Sequence, residues 1–221
     1  LHLVLWLIGK KKPMVKYRAS HKIIRWAFRV IFAIGGIKRN VVGAEQIPTD
    51  TPVVFVSNHR SYLDILLLQS TANVPVGFVA KTELKKIPLL GFWMQDIGCV
   101  FIDRASIKSA VKSISEGVEH IKSGCCMTIC PEGTRGHSDE MAAFKDGSLK
   151  LASKAKVPVV PVAIIGTDDC LENNAGLKLT KGSVTIAYGA PIDIAALSAE
   201  DKKHLGAYTQ KFVNELYTRN K

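Results

Sequence analysis

Short, mostly apolar segments recur along this chain, and they restrict its fold more than any other feature of the sequence. Segments of four to seven such residues are separated by longer polar or amphipathic stretches. Continuous apolar runs of this length are typical of strands buried on both faces, as in a parallel sheet covered by helices. The alternation predicts an α/β domain with a mostly parallel, helix-covered sheet. The predicted strands cover residues 53–57, 76–80, 99–102, 125–130, 159–165 and 183–188.

Helices are predicted between several of these strands. Ser106 is suited to cap the amino end of a helix whose apolar positions repeat at helical spacing as far as Ile121, and Gly124 is suited to end it. Ser198 is expected to cap a final helix that continues to about Arg219. Two further helices are predicted over residues 62–70 and 148–156.

The net charge of +11 is concentrated in the first forty residues, which hold ten Lys and Arg and no Asp or Glu. The other twenty Lys and Arg are matched by nineteen Asp and Glu, so the rest of the chain is close to neutral. This distribution argues against a uniformly basic domain that binds nucleic acid. It predicts a basic arm over residues 1–40 and a separate body over residues 41–221.

The arm alternates cations with large apolar side chains and includes Trp6, Tyr17 and Trp26. A helix of this kind can lie in the headgroup layer of a membrane, with its cations on anionic lipid. A plainer interpretation is a helix that packs on the body and leaves a basic face in solvent. No stretch has the roughly 20 apolar residues that a membrane-spanning helix needs.

The five cysteines lie mostly within apolar runs, where small buried side chains are expected. They lack the paired spacing typical of zinc sites, so we expect no bound metal. An odd, scattered set of cysteines also favours a reducing environment.

His59 and Asp64 follow the first predicted strand and are five residues apart. The carboxylate of Asp64 can fold back to accept the Nδ1–H of His59, which would leave Nε2 free as a base. Because no serine or cysteine is obviously paired with His59, the expected task is to deprotonate a hydroxyl of the substrate. The plainer interpretation is a pair that only fixes the loop.

A second group of polar residues follows other predicted strands. Gly133, Thr134 and Arg135 come after the strand at 125–130, and this combination suits a phosphate because glycine allows close approach while Thr and Arg donate. Arg104 follows the strand at 99–102. Open parallel sheets bind ligands at the carboxyl ends of their strands, which is where His59 also lies.

Taken together, these motifs resemble the four ordered motifs of the glycerolipid acyltransferases. The resemblance runs from about residue 45 to residue 191 and includes two further segments, one with Lys81 and one with Lys145. The four motifs are Asn58-His59 followed by Asp64, Phe101-Ile102-Asp103-Arg104, Pro131-Glu132-Gly133-Thr134-Arg135 and Val157-Pro158-Val159-Val160-Pro161-Val162.

The resemblance implies transfer of an acyl group from a thioester to the free 2-hydroxyl of lysophosphatidate, which gives phosphatidate. His59 would be the general base and Asp64 its orienting partner. The residues implied to bind substrate are Glu132, Gly133, Thr134, Arg135 and Lys145, with Arg104 assisting. Asn58 and Lys81 are expected to support the site, and Pro161 to belong to a segment that shapes the acyl site.

No metal or bound cofactor is implied by the resemblance, because the acyl donor is a coenzyme A or acyl-carrier-protein thioester. The expected partners are lysophosphatidate, the thioester, an anionic membrane surface and acyl carrier protein, with no nucleic acid. The expected location is the cytoplasmic face of a membrane, as a peripheral or interfacially anchored protein. Three alternatives stay open: another lysolipid as acceptor, a thioesterase, and a non-catalytic module that binds lipid or nucleic acid.

Overall fold

The computed structural model describes residues 2–103, 106–136 and 140–221. Within them the chain forms a seven-stranded sheet and eight α-helices. The strands are β1 (Ile37–Val42), β2 (Val54–Ser57), β3 (Val76–Lys81), β4 (Val100–Ile102), β5 (Cys126–Ile129), β6 (Val159–Ile165) and β7 (Gly182–Tyr188). The helices are α1 (His2–Lys11), α2 (Pro13–Ile34), α3 (Leu63–Thr71), α4 (Leu90–Asp96), α5 (Ile107–Lys122), α6 (Asp146–Ala155), α7 (Ala199–Lys203) and α8 (Leu205–Asn220).

The strand order is β1-β7-β6-β2-β5-β3-β4, and every neighbouring pair is parallel except β6 with β7. The predicted mostly parallel, helix-covered sheet is therefore confirmed. Strands β2 to β6 all point the same way, so the loops that leave their carboxyl ends emerge at one edge of the sheet. This edge is called the carboxyl edge below.

Alternating side chains of each central strand supply two cores, one on each face of the sheet. Phe55 of β2 packs with helices α2 and α3, through side chains such as Phe32 and Leu67. Val54 and Val56 point to the other face, where α5, α6 and α8 pack. Both faces of β2 are fully buried, and this explains why the strand is apolar without alternation.

Two elements differ from the sequence-based expectation. Strand β1 was not predicted because Lys38 to Asn40 make it polar, and an edge strand that pairs only with β7 tolerates such residues. Residues 40 and 41, where the charge distribution placed the boundary between arm and body, lie inside β1. The last predicted helix is interrupted at His204, since the start of α8 is fixed by a hydrogen bond from Gly206 N to Asp146 Oδ1 of α6 (2.7 Å).

Helix α2 docks on the body through side chains spaced four residues apart. Tyr17, His21, Arg25 and Arg29 each bond to a backbone carbonyl, those of Pro75, Ile97, Val74 and Ser70, at 3.0–3.2 Å. Residues at this spacing share one helix face. Helix α2 therefore packs on the body, as the plainer interpretation expects, but part of its basic character faces the protein, which neither interpretation predicts.

Other cations of the arm, such as Arg18 and Lys22, are exposed. None of the helices in the described ranges is both long and apolar enough to cross a bilayer.

Candidate active site

A cavity of about 600 Å³ opens at the carboxyl edge of the sheet. His59, Arg135 and Lys145 line its polar part, and Phe78, Leu84, Ile102 and Ile129 are among the apolar residues that line the rest. The loops after β2 and β5 meet here, where Gly136 N donates to the carbonyl of His59 (2.8 Å). The fold therefore brings His59 and Arg135 together, although they are far apart in sequence.

His59 and Asp64 form the hydrogen bond that their spacing suggested, with His59 Nδ1 2.8 Å from Asp64 Oδ2. Asp64 lies in the first turn of α3 and is 1% exposed. Its Oδ2 also accepts the backbone N–H groups of Arg60 (2.7 Å) and Ser61 (2.8 Å). Because a carboxylate only accepts, this geometry assigns the proton to Nδ1. Nε2 makes no hydrogen bond within the described part of the chain.

The remaining oxygen of Asp64 is held by a residue that sequence reasoning missed. Thr167 Oγ1 donates to Asp64 Oδ1 at 2.5 Å. Thr167 is fully buried and follows β6 by two residues. Its position beyond the carboxyl end of a parallel strand was the available signal. Asp168 beside it pairs with Arg60, whose Nε lies 2.9 Å from Asp168 Oδ2.

Glu132 supports the His59 loop from the other side. Its Oε1 accepts the His59 N–H (2.7 Å), and its Oε2 accepts the Ala142 N–H (3.1 Å). Burial raises the pKa of Glu132, and the two backbone hydrogen bonds oppose this shift. Glu132 was expected to contact substrate, but both carboxylate oxygens bind the protein's own backbone. In this geometry it joins the loops after β2 and β5.

Asn58 also joins strands and does not face the cavity. Its side-chain amide donates to the Ile164 carbonyl and accepts the Ile164 N–H, both at 2.8 Å. This pair of bonds ties the end of β2 to β6, so the backbone that leads into His59 is fixed.

Arg135 is held by two neighbours at the rim of the cavity. Its Nη1 donates to Glu172 Oε1 (3.1 Å), and its Nη2 donates to the Tyr62 hydroxyl (3.2 Å). The guanidinium carbon also lies 3.9 Å from the centroid of the Tyr62 ring. Neither Tyr62 nor Glu172 was singled out from the sequence.

Gly133, Thr134 and Lys145 lie together in the cavity lining. Gly133 has a φ of +83°, and a Cβ there would lie 2.7 Å from Lys145 Nζ. The positive φ favours glycine here, whereas the contact with Lys145 involves only the end of a flexible side chain. Lys81 also lines the cavity, and its ammonium lies 3.5 Å from Glu83 in an exposed pair.

One residue expected at the site is not brought to this cavity. Pro161 lies within β6 and lines a different cavity of about 520 Å³, together with Gly189 and Leu216. Arg104 lies outside the residues that the structure describes. No group of three or more His, Cys, Asp or Glu side chains in the described ranges has a geometry suited to a metal ion.

The sequence and the fold are similar to those of known acyltransferases. Over 191 residues the chain is 34% identical to a chloroplastic 1-acyl-sn-glycerol-3-phosphate acyltransferase of Brassica napus, an alignment that covers 84% of this chain and 55% of that protein. Over 221 residues it is 32% identical to a probable 1-acyl-sn-glycerol-3-phosphate acyltransferase of Mycoplasma genitalium, covering 95% of this chain and 80% of that protein. The chain thus spans about half the length of the plant relative.

A solved structure shares the fold. The crystal structure of the 1-acyl-sn-glycerophosphate acyltransferase PlsC from Thermotoga maritima matches with a TM-score of 0.78 and 28% identity, covering 97% of this chain and 92% of that chain. The family model described as Acyltransferase matches residues 38–165, more than half of the 221 residues, and its span includes His59, Asp64 and Arg135. The resemblance inferred from the ordered motifs is confirmed, and the chain belongs to the acyltransferase family.

Proposed function

We propose that this protein transfers a fatty acyl group from an acyl thioester to the 2-hydroxyl of 1-acyl-sn-glycerol-3-phosphate, forming phosphatidate in phospholipid synthesis. The observation that carries the proposal is the His59–Asp64 pair, which leaves Nε2 available in a cavity that also holds Arg135 and Lys145. A base beside two cations suits an acceptor with a hydroxyl group and a phosphate. Hydrolysis of a thioester needs the base but not these cations.

In this mechanism His59 Nε2 takes the proton of the acceptor hydroxyl as its oxygen attacks the thioester carbonyl. The carbon–sulfur bond then breaks, and the departing thiolate takes the proton from the imidazolium. Asp64 holds His59 in the tautomer with its proton on Nδ1 and stabilises the cation that forms. A positioned base contributes about 10²–10⁴ in rate.

The two substrates suit different parts of the cavity. Arg135 and Lys145 supply donors for the phosphate, with Gly133 and Thr134 allowing it close to the backbone. The apolar lining around Phe78, Leu84 and Ile129 suits an acyl chain, for which each buried methylene contributes about 0.8 kcal/mol. The donor is an acyl-CoA or an acyl-carrier-protein thioester.

The arm would bring the enzyme to the lipid that carries its substrate. Trp26 is 67% exposed and Trp6 45% exposed, and the cations Lys10, Arg18 and Lys22 are exposed as well. Interfacial aromatics and cations favour a surface of anionic lipid. In this arrangement the body-facing side of α2 stays docked while its outer face meets the headgroups.

Phosphatidate formation provides the direct test. The purified full chain is incubated with lysophosphatidate in lipid vesicles, with either acyl-CoA or acylated carrier protein, and the lipids are identified by mass spectrometry. We expect phosphatidate with at least one donor and far less of it with the His59→Ala protein. Release of free fatty acid with no acylated lipid would identify a thioesterase, and acylation of a different lysolipid alone would overturn the proposed acceptor.

A further inference from the structure

We propose that Glu172 is a positioning residue that holds Arg135 ready for the phosphate of the acceptor lipid. This inference rests on the proposed function, since it assumes that Arg135 binds that phosphate. Glu172 lies between β6 and β7, outside the segment that the family model matches. It is 37 residues from Arg135 in sequence and reaches it only through the fold.

A single oxygen of Glu172 connects the two elements that form this side of the cavity. Glu172 Oε1 accepts Arg135 Nη1 at 3.1 Å and the backbone N–H of Tyr62 at 2.8 Å. The Glu172 side chain is only 12% exposed. Its Oε2 is buried and makes no hydrogen bond with the residues that the structure describes. A buried carboxylate is costly to keep, so its two bonds to Tyr62 and Arg135 account for its presence here.

Tyr62 also holds the guanidinium of Arg135, through both its ring and its hydroxyl. The guanidinium carbon lies 3.9 Å from the centroid of the Tyr62 ring, which suits a cation over an aromatic face. Arg135 Nη2 also donates to the Tyr62 hydroxyl at 3.2 Å. Glu172 therefore holds Nη1 of the Arg135 guanidinium. Tyr62 holds Nη2 with its hydroxyl and contacts the flat face of the guanidinium with its ring.

The guanidinium of Arg135 still has N–H donors with which it can bind a ligand. An arginine has five N–H donors, and two are used by Glu172 and Tyr62. The Arg135 side chain is 30% exposed and lines the cavity that contains His59. A long side chain that is already ordered loses less entropy when it binds. Glu172 should therefore increase phosphate affinity through the order it imposes on Arg135.

The opposite hypothesis is that Glu172 competes with the phosphate for Arg135 and so weakens phosphate binding. Substitutions at Glu172 distinguish the two hypotheses. Glu172→Gln removes the charge but keeps an oxygen that can accept from Arg135 and Tyr62. Glu172→Ala removes both the charge and the hydrogen bonds. Asp169→Ala is the matched control, because it removes a carboxylate from the same segment that bonds to Asn173 and not to Arg135.

The measurement is steady-state kinetics of the full chain with lysophosphatidate and the preferred thioester. We expect Glu172→Ala to raise the KM for lysophosphatidate about tenfold, as loss of a charged hydrogen bond would, and to leave kcat and the thioester KM nearly unchanged. Glu172→Gln should stay close to the wild type, and so should Asp169→Ala. If the Glu172→Ala protein does not fold, Glu172→Asp, which withdraws the carboxylate by one methylene, takes its place.

A double substitution tests whether Glu172 acts through Arg135. In the Arg135→Ala background, Glu172→Ala should raise the lysophosphatidate KM no further. Equal changes in kcat and both KM values would show that Glu172 only supports the fold around α3. A lysophosphatidate KM below the wild-type value in Glu172→Gln would show competition instead. Each of these outcomes overturns the inference.

The failure of this inference is distinct from failure of the proposed function. If Arg135→Ala leaves the lysophosphatidate KM unchanged, the phosphate role of Arg135 is wrong. If Arg135→Ala raises that KM but Glu172→Ala does not, the phosphate role stands and only the positioning role of Glu172 is overturned.

Discussion

The arm and the carboxyl edge both concentrate ionisable side chains, but they satisfy them in different ways. In the arm, His21, Arg25 and Arg29 dock on the body through neutral backbone carbonyls. At the carboxyl edge, the carboxylates of Asp64 and Glu132 are buried and accept several N–H or O–H groups.

This difference shows that ionisable groups have different roles in the arm and at the carboxyl edge. Carbonyl partners and an ion pair between Lys16 and the buried Asp96 attach the arm, and its exposed charges remain for solvent or lipid. Buried carboxylates at the carboxyl edge fix the conformation of a loop, since each oxygen gathers donors from separate parts of the chain. We therefore expect substitutions at the edge to change the chemical step and substitutions in the arm to change docking and lipid binding.

The largest expected effect separates catalysis from lipid binding. His59→Ala should lower kcat by about 10²–10⁴, because the acceptor hydroxyl loses its base. Asp64→Asn should also be severely impaired, and the double variant should lose little more, since the two residues act as one unit. Thermal melting and vesicle binding should match the wild type. Near-normal turnover, or a covalent acyl adduct trapped without acceptor, would contradict the mechanism.

Acid should weaken the docking of the arm on the body through His21, which is buried and bonds to the Ile97 carbonyl. Burial lowers the pKa of His21 from 6.5 to about 4, and the nearby Arg25 charge acts in the same direction. Since folding favours the neutral ring, this contribution is fully present above pH 6.5 and is lost as the pH falls through about 4. The lowered pKa of His21 corresponds to about 3 kcal/mol in the free energy of unfolding between the two ends of this pH range.

The measurement compares urea unfolding of the wild type and His21→Gln between pH 4 and pH 8. Glutamine has an amide that can donate to the Ile97 carbonyl but does not titrate. The stability of the wild type relative to His21→Gln should therefore decline as the pH is lowered. Parallel profiles for the two proteins would show that His21 does not report on docking.

Thr167 should affect the chemical step through Asp64. Thr167→Val keeps the shape but removes the hydroxyl that donates to Asp64 Oδ1. The loss of a hydrogen bond to a charged group is worth about 1.5–3 kcal/mol, and we expect part of this to appear as a lower kcat. Thr167→Ser keeps the hydroxyl, so its kcat should be close to that of the wild type. A loss of stability with unchanged kcat and an unchanged pH profile would assign Thr167 a structural role only.

The smallest effect is expected from the exposed cations of the arm. Replacing Arg18 and Lys22 by Gln should weaken binding to anionic vesicles by about 1 kcal/mol per residue, and less at high salt. The matched pair Arg25→Gln and Arg29→Gln should lower stability and weaken vesicle binding less, because both guanidinium groups bond to carbonyls of the body although Arg29 is also exposed. Substitution is sharper than deletion of residues 1–39, because that deletion removes half of β1. If both pairs weaken vesicle binding equally, the two faces of α2 are not distinct.

Much of the fold could be predicted because its central strands are buried on both faces. The segments at 159–165 and 76–80 match β6 and β3 closely, since only apolar residues are stable in such positions. Strand β1 could not be found this way, because an edge strand pairs with one neighbour and tolerates Lys38 and Arg39. The interruption at His204 depends on the contact of Gly206 with Asp146, which no local pattern records.

The candidate site also has contacts that the sequence predicted and contacts that it did not. His59 and Asp64 are five residues apart, so a turn between a strand and a helix suffices to join them, and their spacing predicted the bond. Thr167 and Glu172 reach Asp64 and Arg135 from 103 and 37 residues away. The sequence by itself therefore determined the local pair and the buried strands, because short-range spacing and burial leave a pattern in the residue order. Only the tertiary structure decided which donors complete Asp64 and which carboxylate holds Arg135, since these contacts depend on how parallel strands bring distant loops to one edge. It also decided which cations of the arm face the body, since those bonds depend on how α2 packs against α3 and the chain between α3 and β3.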